Sequence, residues 1–174
     1  DQKVVSAVAG GIGITQTATV TVNAGPAASL DFTTQQPTNT TAGVAINSGT
    51  GGVVVTARDQ FGNTATSFVS LLTMVLGANP AGGVLSGTTT ATAVLGVATF
   101  PNLRIIKAGA GYQLRASGGA LTSPLSNAFT INTAPAHHLT FTTQPTTTAV
   151  LARIDSTIGG VVVTVQDSVN NTVA

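Results

Sequence analysis

Gly51-Gly52-Val53-Val54-Val55-Thr56-Ala57-Arg58-Asp59-Gln60-Phe61-Gly62-Asn63 is the stretch that decides the fold of this chain. Two glycines open it, a β-branched run follows, and an Asp-x-x-Gly-Asn cluster closes it. That is the composition of a strand running into a turn. Side chains alternate along a strand, so Val53, Val55 and Ala57 share one face, expected to lie on a core, and Val54, Thr56 and Arg58 share the other, expected to point outward. The stretch also recurs. Gly159-Gly160-Val161-Val162-Val163-Thr164-Val165-Gln166-Asp167-Ser168-Val169-Asn170-Asn171 follows it at an offset of 108 residues. Gly62 gives way to Asn170, the exchange that a left-handed backbone position tolerates well. The reading is a structural turn in both places. Asp59 and Asp167 cap it through their side chains, Gly62 and Asn170 take the left-handed position, and Asn63 and Asn171 close it.

A second echo lies upstream of the first. Pro-Ala-Ala-Ser-Leu-Asp-Phe-Thr-Thr-Gln at 26–35 returns as Pro-Ala-His-His-Leu-Thr-Phe-Thr-Thr-Gln at 135–144, with its prolines 109 residues apart. One residue is lost between the two echoes, where Gln35-Gln36-Pro37 faces Gln144-Pro145. A fixed period of this size signals tandem modules. It divides the chain into the C-terminal part of a preceding repeat (1–25), a complete repeat (26–134) and the N-terminal part of a following one (135–174). Only the middle segment is long enough to bury its own core. The joints, Asn23-Ala24-Gly25-Pro26 and Asn132-Thr133-Ala134-Pro135, are short and limited by proline, which favours a semi-stiff rod.

Nothing in the chain has the periodicity of a long helix, and the expected fold class is all-β. Within 26–134 the expected strands are Ser29–Thr34, Ala42–Ile46 (with Val44 and Ile46 on one face), Val53–Arg58 and Ser67–Leu76, the last apolar on both faces as a central strand can be. Val84-Leu85, Thr89–Leu95, Gly96–Pro101, Leu103–Ile106, Tyr112–Ser117 and Leu125–Asn132 complete the set. About seven to nine short strands in about a hundred residues is the size of an immunoglobulin-like sandwich. Tyr112 follows Gly109-Ala110-Gly111 and precedes Leu114 by two residues, the pattern of a tyrosine corner that ties a loop to a late strand. The matching place in the leading segment, Lys3-Val4-Val5, has no Tyr.

Composition narrows the function. Charged residues are 6% of the chain, with five Asp, no Glu and a net charge of +1. An ordinary globular domain carries roughly 25%. No basic cluster exists to hold nucleic acid. The longest apolar stretch, Phe68 to Leu76, is too short for a membrane helix, and aromatics at 4% leave no girdles for a transmembrane barrel. The chain has no Cys, hence neither disulfide nor thiolate metal site. The polar surface is left to Thr, Ser, Asn and Gln, which suits an extracellular protein, glycan decoration or close lateral packing.

The groups an enzyme needs do not converge. Asp1, Asp31, Asp59, Asp155 and Asp167 are scattered, with no pairing that suggests acid–base work. A calcium loop at Asp59 would want several more oxygen ligands than the neighbouring acids supply. His137 and His138 are adjacent and point to opposite faces of a strand, His138 to solvent and His137 to the core side or into the linker, without companions at metal-ligand spacing. Leu139 and Phe141 are core-facing by analogy with Leu30 and Phe32. Lys107 is the one candidate within 26–134 for a Lys–Asn isopeptide crosslink, and suits a polar edge better. Asn39-Thr40-Thr41 and Asn170-Asn171-Thr172 match the N-glycosylation pattern. The expectation is therefore no enzyme, no cofactor and no metal.

The run from Pro26 to Asn132 resembles the tandem immunoglobulin-like repeats of large bacterial surface proteins, the broad invasin-, intimin- and filamin-like class. Phe32-Thr33-Thr34-Gln35, Val55–Asn63, Gly82-Gly83-Val84-Leu85-Ser86-Gly87, Gly96-Val97-Ala98-Thr99-Phe100 and Lys107–Tyr112 carry the resemblance. It implies an extracellular, cell-surface location and a structural or adhesive role. The partners it implies are neighbouring repeats or copies of the chain, met end to end or along strand edges, or else a surface glycan or host protein. A carbohydrate-binding or spacer module of a secreted hydrolase is the alternative, and it would want an exposed aromatic cluster.

Overall fold

The computed structural model describes residues 2–5, 8–13, 18–150, 152–154 and 159–174. In chain order the strands are β1 (Gln2–Val5), β2 (Val8–Ala9), β3 (Ile12–Gly13), β4 (Ala18–Thr21), β5 (Ser29–Gln35), β6 (Thr40–Thr41), β7 (Val53–Arg58), β8 (Leu71–Ala78) and β9 (Leu85–Ser86). They continue with β10 (Thr90–Thr92), β11 (Val97–Phe100), β12 (Arg104–Ile105), β13 (Gly109–Gly118), β14 (Leu121–Thr122), β15 (Phe129–Asn132), β16 (Ala136–Thr143) and β17 (Val162–Asp167). One exposed 3-10 turn, Ser48–Thr50, is the whole of the helical content among the described residues.

The architecture is all-β and sandwich-like. One layer is the three-stranded sheet β11-β7-β5; the other runs β10-β8-β13-β15-β6, with β14 paired to β13. Among the described residues every strand pairing is antiparallel except β15 with β6. A single buried cluster lies between the layers. Leu30 and Phe32 of β5, Val53 and Val55 of β7 and Phe100 of β11 meet Leu72 and Met74 of β8, Tyr112 and Leu114 of β13 and Phe129 and Ile131 of β15. Each such side chain contributes about 1.5–3 kcal/mol through removal from water. The alternation read from Val53, Val55 and Ala57 places all three in this core.

Local chemistry overrides alternation in several places. Ala42–Ile46 is not a strand: Gly43 and Asn47 take left-handed backbone, the chain turns, and Val44 is 45% exposed while Ile46 is buried. Ser67–Leu76 begins as a strand only at Leu71, and just one face is covered, with Leu72 and Met74 buried and Leu71 and Val75 exposed. Thr56, expected to point outward, is buried in the middle strand of its sheet. Leu125–Asn132 becomes regular only at Phe129. Before that, the chain runs beside β13 through serine hydroxyls, because Ser123 and Ser126 accept the N–H groups of Ala116 and Leu114 at 2.9 Å.

The two flanking segments reproduce the pairing of the central one. In the leading hairpins Lys3 pairs with Val20, as Tyr112 pairs with Phe129, and Ala9 with Ile12, as Gly118 with Leu121. All four positions are shifted by 109 residues. The reversal between β2 and β3 uses Gly10 and Gly11 at φ 60° and 80°, where the central one uses Gly119 and Ala120 at 58° and 65°. In the trailing hairpin Leu139 pairs with Val165 and Thr140 with Thr164, the counterparts of Leu30 with Ala57 and Asp31 with Thr56. The missing residue comes out of a bulge. The segment from Asp31 to Gln35 spans the partners Thr56 to Val54, and the shorter segment from Thr140 to Thr143 spans Thr164 to Val162.

Leu139 and Phe141 do not lie in a core. They are 68% and 50% exposed, because no second layer faces β16 and β17 among the described residues. His138, expected to point to solvent, is half-buried and His137 is exposed, because the register shift between Ala136 and His138 breaks the simple alternation that placed them.

Candidate functional site

The residues that act together in this molecule lie beside the two Pro-containing segments at 23–26 and 132–135, read in the sequence as joints. At the first joint the Asp59 carboxylate is buried and fully engaged. Its Oδ1 accepts the N–H groups of Phe61 and Asn63, both at 2.9 Å. Its Oδ2 accepts the N–H of Gly25 at 2.9 Å and the Asn63 side-chain amide at 3.1 Å. Gly62 sits at φ 82° and returns its N–H to the Asp59 carbonyl. One carboxylate thus closes the turn after β7 and holds the residue before Pro26.

The second joint has the same bonds. Asp167 Oδ1 accepts the N–H groups of Val169 and Asn171 at 2.9 Å, and Oδ2 accepts the N–H of Ala134 and the Asn171 amide, both at 3.0 Å. Asn170 holds φ 66°, and Ala134 precedes Pro135 as Gly25 precedes Pro26. Burial pushes both carboxyls up. The hydrogen bonds from the following Asn side chain and from the surrounding backbone N–H groups outweigh it and bring each down to about 2. Among the described residues no cluster of three or more His, Cys, Asp or Glu is placed to hold a metal.

At the second joint the turn reaches across to the central sandwich. The Asn171 amide donates to the Ile106 carbonyl at 2.8 Å, and its Oδ1 accepts the Ala108 N–H at 2.8 Å. Asn171 is only 7% exposed, so both bonds are partly shielded from water. Val169 packs against the edge of the core, within 4.0 Å of where a side chain on Gly43 would begin. The gripped loop is braced from inside by the tyrosine corner. Tyr112, fully buried, donates its hydroxyl to the Lys107 carbonyl at 3.0 Å, and its ring lies 6.0 Å from that of Phe129. Burial raises the phenol's pKa, against a lowering by the nearby Gly83 amide. A cleft of about 290 Å³ remains between Gly82-Gly83, Lys107 and Asn170.

The structure thus brings Tyr112, Asp167 and Asn171 to one joint and places Asp59, Gly62 and Asn63 at the other. Sequence reasoning treated them as separate turns and corners. It placed Gly25 and Ala134 in the joints without pairing them to the Asp carboxylates, and it missed the Asn171 contact with the Ile106–Ala108 loop, since a backbone partner leaves no mark on residue type; the Asn shared by both turns was the available signal. The remaining candidates stay apart. His137 and His138 meet each other edge to face, with Nδ1 atoms 3.3 Å apart. Asp31 accepts the Ser29 hydroxyl at 3.4 Å. Lys107 is exposed, unlike the buried Lys of an isopeptide crosslink. Asn39 is exposed but uses its Oδ1 on the Thr130 N–H, and Asn170 is exposed. Asp1 and Asp155 lie outside the described residues. Among the described residues no helix is long and apolar enough to cross a membrane. No protein-family model matches the chain, and no curated protein is significantly similar to it.

Proposed function

We propose that this chain is a stretch of tandem immunoglobulin-like modules, serving as a structural or adhesive shaft in an extracellular bacterial surface protein or filament. The observation that carries the proposal is the recurrence of one joint. Asp59 on Gly25 and Asp167 on Ala134 repeat the same bonds at the spacing of the sequence echo. The matched strand registers on both sides of 26–134 support it, as does the Asn171 grip on the central sandwich. On this reading the unit boundaries fall at 25/26 and 134/135.

The mechanism is mechanical. A chain entering through β5 and leaving through β15 carries tension through two strands in different layers, so the core between them resists shear. The joint adds stiffness, because Asp clamps the linker and Asn binds the neighbouring loop. A surface poor in charge and rich in Thr suits lateral contact with other shafts or with a host surface. The exposed aromatics Phe61 and Phe141 lie in separate segments, which gives the carbohydrate-binding alternative no platform. Stretching single molecules tests the proposal. A module of about 109 residues lengthens by roughly 350 Å when its extended chain replaces the folded unit. Force peaks with that spacing support the shaft. Extension of the central segment without a resolved peak overturns it.

A further inference from the structure

We infer that the Asp59–Asn63 turn is the docking half of another joint, and that its occupant is the Ile106–Ala108 loop of a further sandwich of this kind placed ahead of it. The inference rests on the modular reading above. Its ground is the difference between two turns that are otherwise the same. Asn171 and Asn63 follow the same Asp clamp, with the same backbone bonds and the same side-chain donation to the carboxylate. Asn171 then spends its remaining capacity on the Ala108 N–H and the Ile106 carbonyl. Asn63 Oδ1 has no donor among the described residues, and the side chain is exposed. Val169 is packed at the core's edge, whereas its counterpart Phe61 is 77% exposed. A large aromatic ring in open solvent, beside an amide with an unused acceptor, is a surface waiting for cover.

The chemistry of the cover is readable from the occupied copy. Asn63 needs one backbone carbonyl and one backbone N–H two residues apart, on a loop held rigid from behind. Ile106 to Ala108, braced by Tyr112 through the Lys107 carbonyl, supplies that. Phe61 needs a small-residue edge such as the one Gly43 presents to Val169. The leading hairpins agree with this. Their register matches that of β13 to β15, and in the central sandwich the gripped loop runs directly into β13. A shifted copy of that loop therefore belongs to the same unit as β1 to β4. Two adjacent modules would then meet through one Asn, one apolar side chain and one Asp-clamped linker, repeated at each boundary.

The chain has no Cys, so spin labels can be placed at will. The test uses the full chain with one extra copy of residues 26–134 inserted between Ala134 and Pro135. One label goes on Thr122→Cys of the upstream copy and one on Thr66→Cys of the downstream copy, both exposed positions. Electron–electron distances across the new joint are then measured. The expected result is a single narrow distribution. Asn63→Ala in the downstream copy should raise the undocked fraction about tenfold, as loss of two ordinary hydrogen bonds does. Asn63→Ala in the upstream copy removes the same bonds to Asp59 but lies outside the labelled joint, so it should leave the distribution unchanged. Equal effects from both substitutions, or none from the downstream one, overturn the inference while a narrow parent distribution keeps the modular reading. A broad distribution before any substitution counts against the modular reading itself.

Discussion

Gly83 and Tyr112 should be energetically coupled. A methyl added at Gly83 would lie 2.6 Å from the Tyr112 hydroxyl oxygen and 2.8 Å from Ile105 Cγ2. The Gly83 backbone is not in the left-handed region, so Gly83→Ala costs packing alone, about 1–3 kcal/mol for an overfilled core. Tyr112→Phe deletes the 3.0 Å bond to the Lys107 carbonyl and keeps the ring against Phe129. One ordinary hydrogen bond is lost, so the net loss is about 1 kcal/mol. The phenol oxygen is also the nearest obstacle to the new methyl. Removing it relieves part of the clash, while Ile105 and a ring carbon at 3.1 Å remain. The double variant should therefore be less destabilised than the sum of the singles, by about 0.5–1.5 kcal/mol. Thermal unfolding followed by circular dichroism resolves this, since 1 kcal/mol moves the midpoint of a unit this size by about 4–6 °C. Strict additivity, or a double variant worse than additive, would refute the packing argument.

Other consequences can be checked on the same chain. Asp59 and Asp167 have carboxyls lowered from 3.8 to about 2, so their contribution to stability is complete above about pH 4 and is lost as pH falls towards 2. The Gly25 and Ala134 amide signals should shift over that window, and Asp59→Asn should abolish the Gly25 shift alone. Gly52→Ala should cost about 3–5 kcal/mol in denaturant unfolding, because its methyl would run into the Phe100 carbonyl and the Pro101 backbone at φ 104°. Gly82→Ala, with open space around it at φ 70°, should cost about 1–2 kcal/mol. Asn171→Ala should speed hydrogen exchange at Ala108 about tenfold, since that N–H bonds to the lost side chain.

The residue types show which parts of this architecture a sequence can announce. The Asp59 turn was legible because a carboxylate, a left-handed glycine and a following Asn have one joint use. Tyr112 was legible because its place before Leu114 follows strand alternation. The kinship of the leading hairpins with β13 to β15 was legible only from the repeat period: Lys3 and Val20 stand where Tyr112 and Phe129 stand, no residue type is shared, and the backbone register supplies the connection. The Asn171 grip was hidden for a different reason. Its partners are main-chain atoms more than sixty residues away, which constrain geometry without constraining composition. Val44 misled because alternation ignores a turn. Gly43 at φ 81° and Asn47 at φ 56° bend the chain before a strand can form.

Small-angle scattering from the chain, with and without an extra copy of residues 26–134 inserted between Ala134 and Pro135, tests the modular account most directly. The ten residues of β13 span about 33 Å, so each added unit should lengthen the particle by about 30–40 Å while its cross-section stays constant. An inserted copy that leaves the maximum dimension nearly unchanged, or that gives the profile of freely jointed beads, contradicts it.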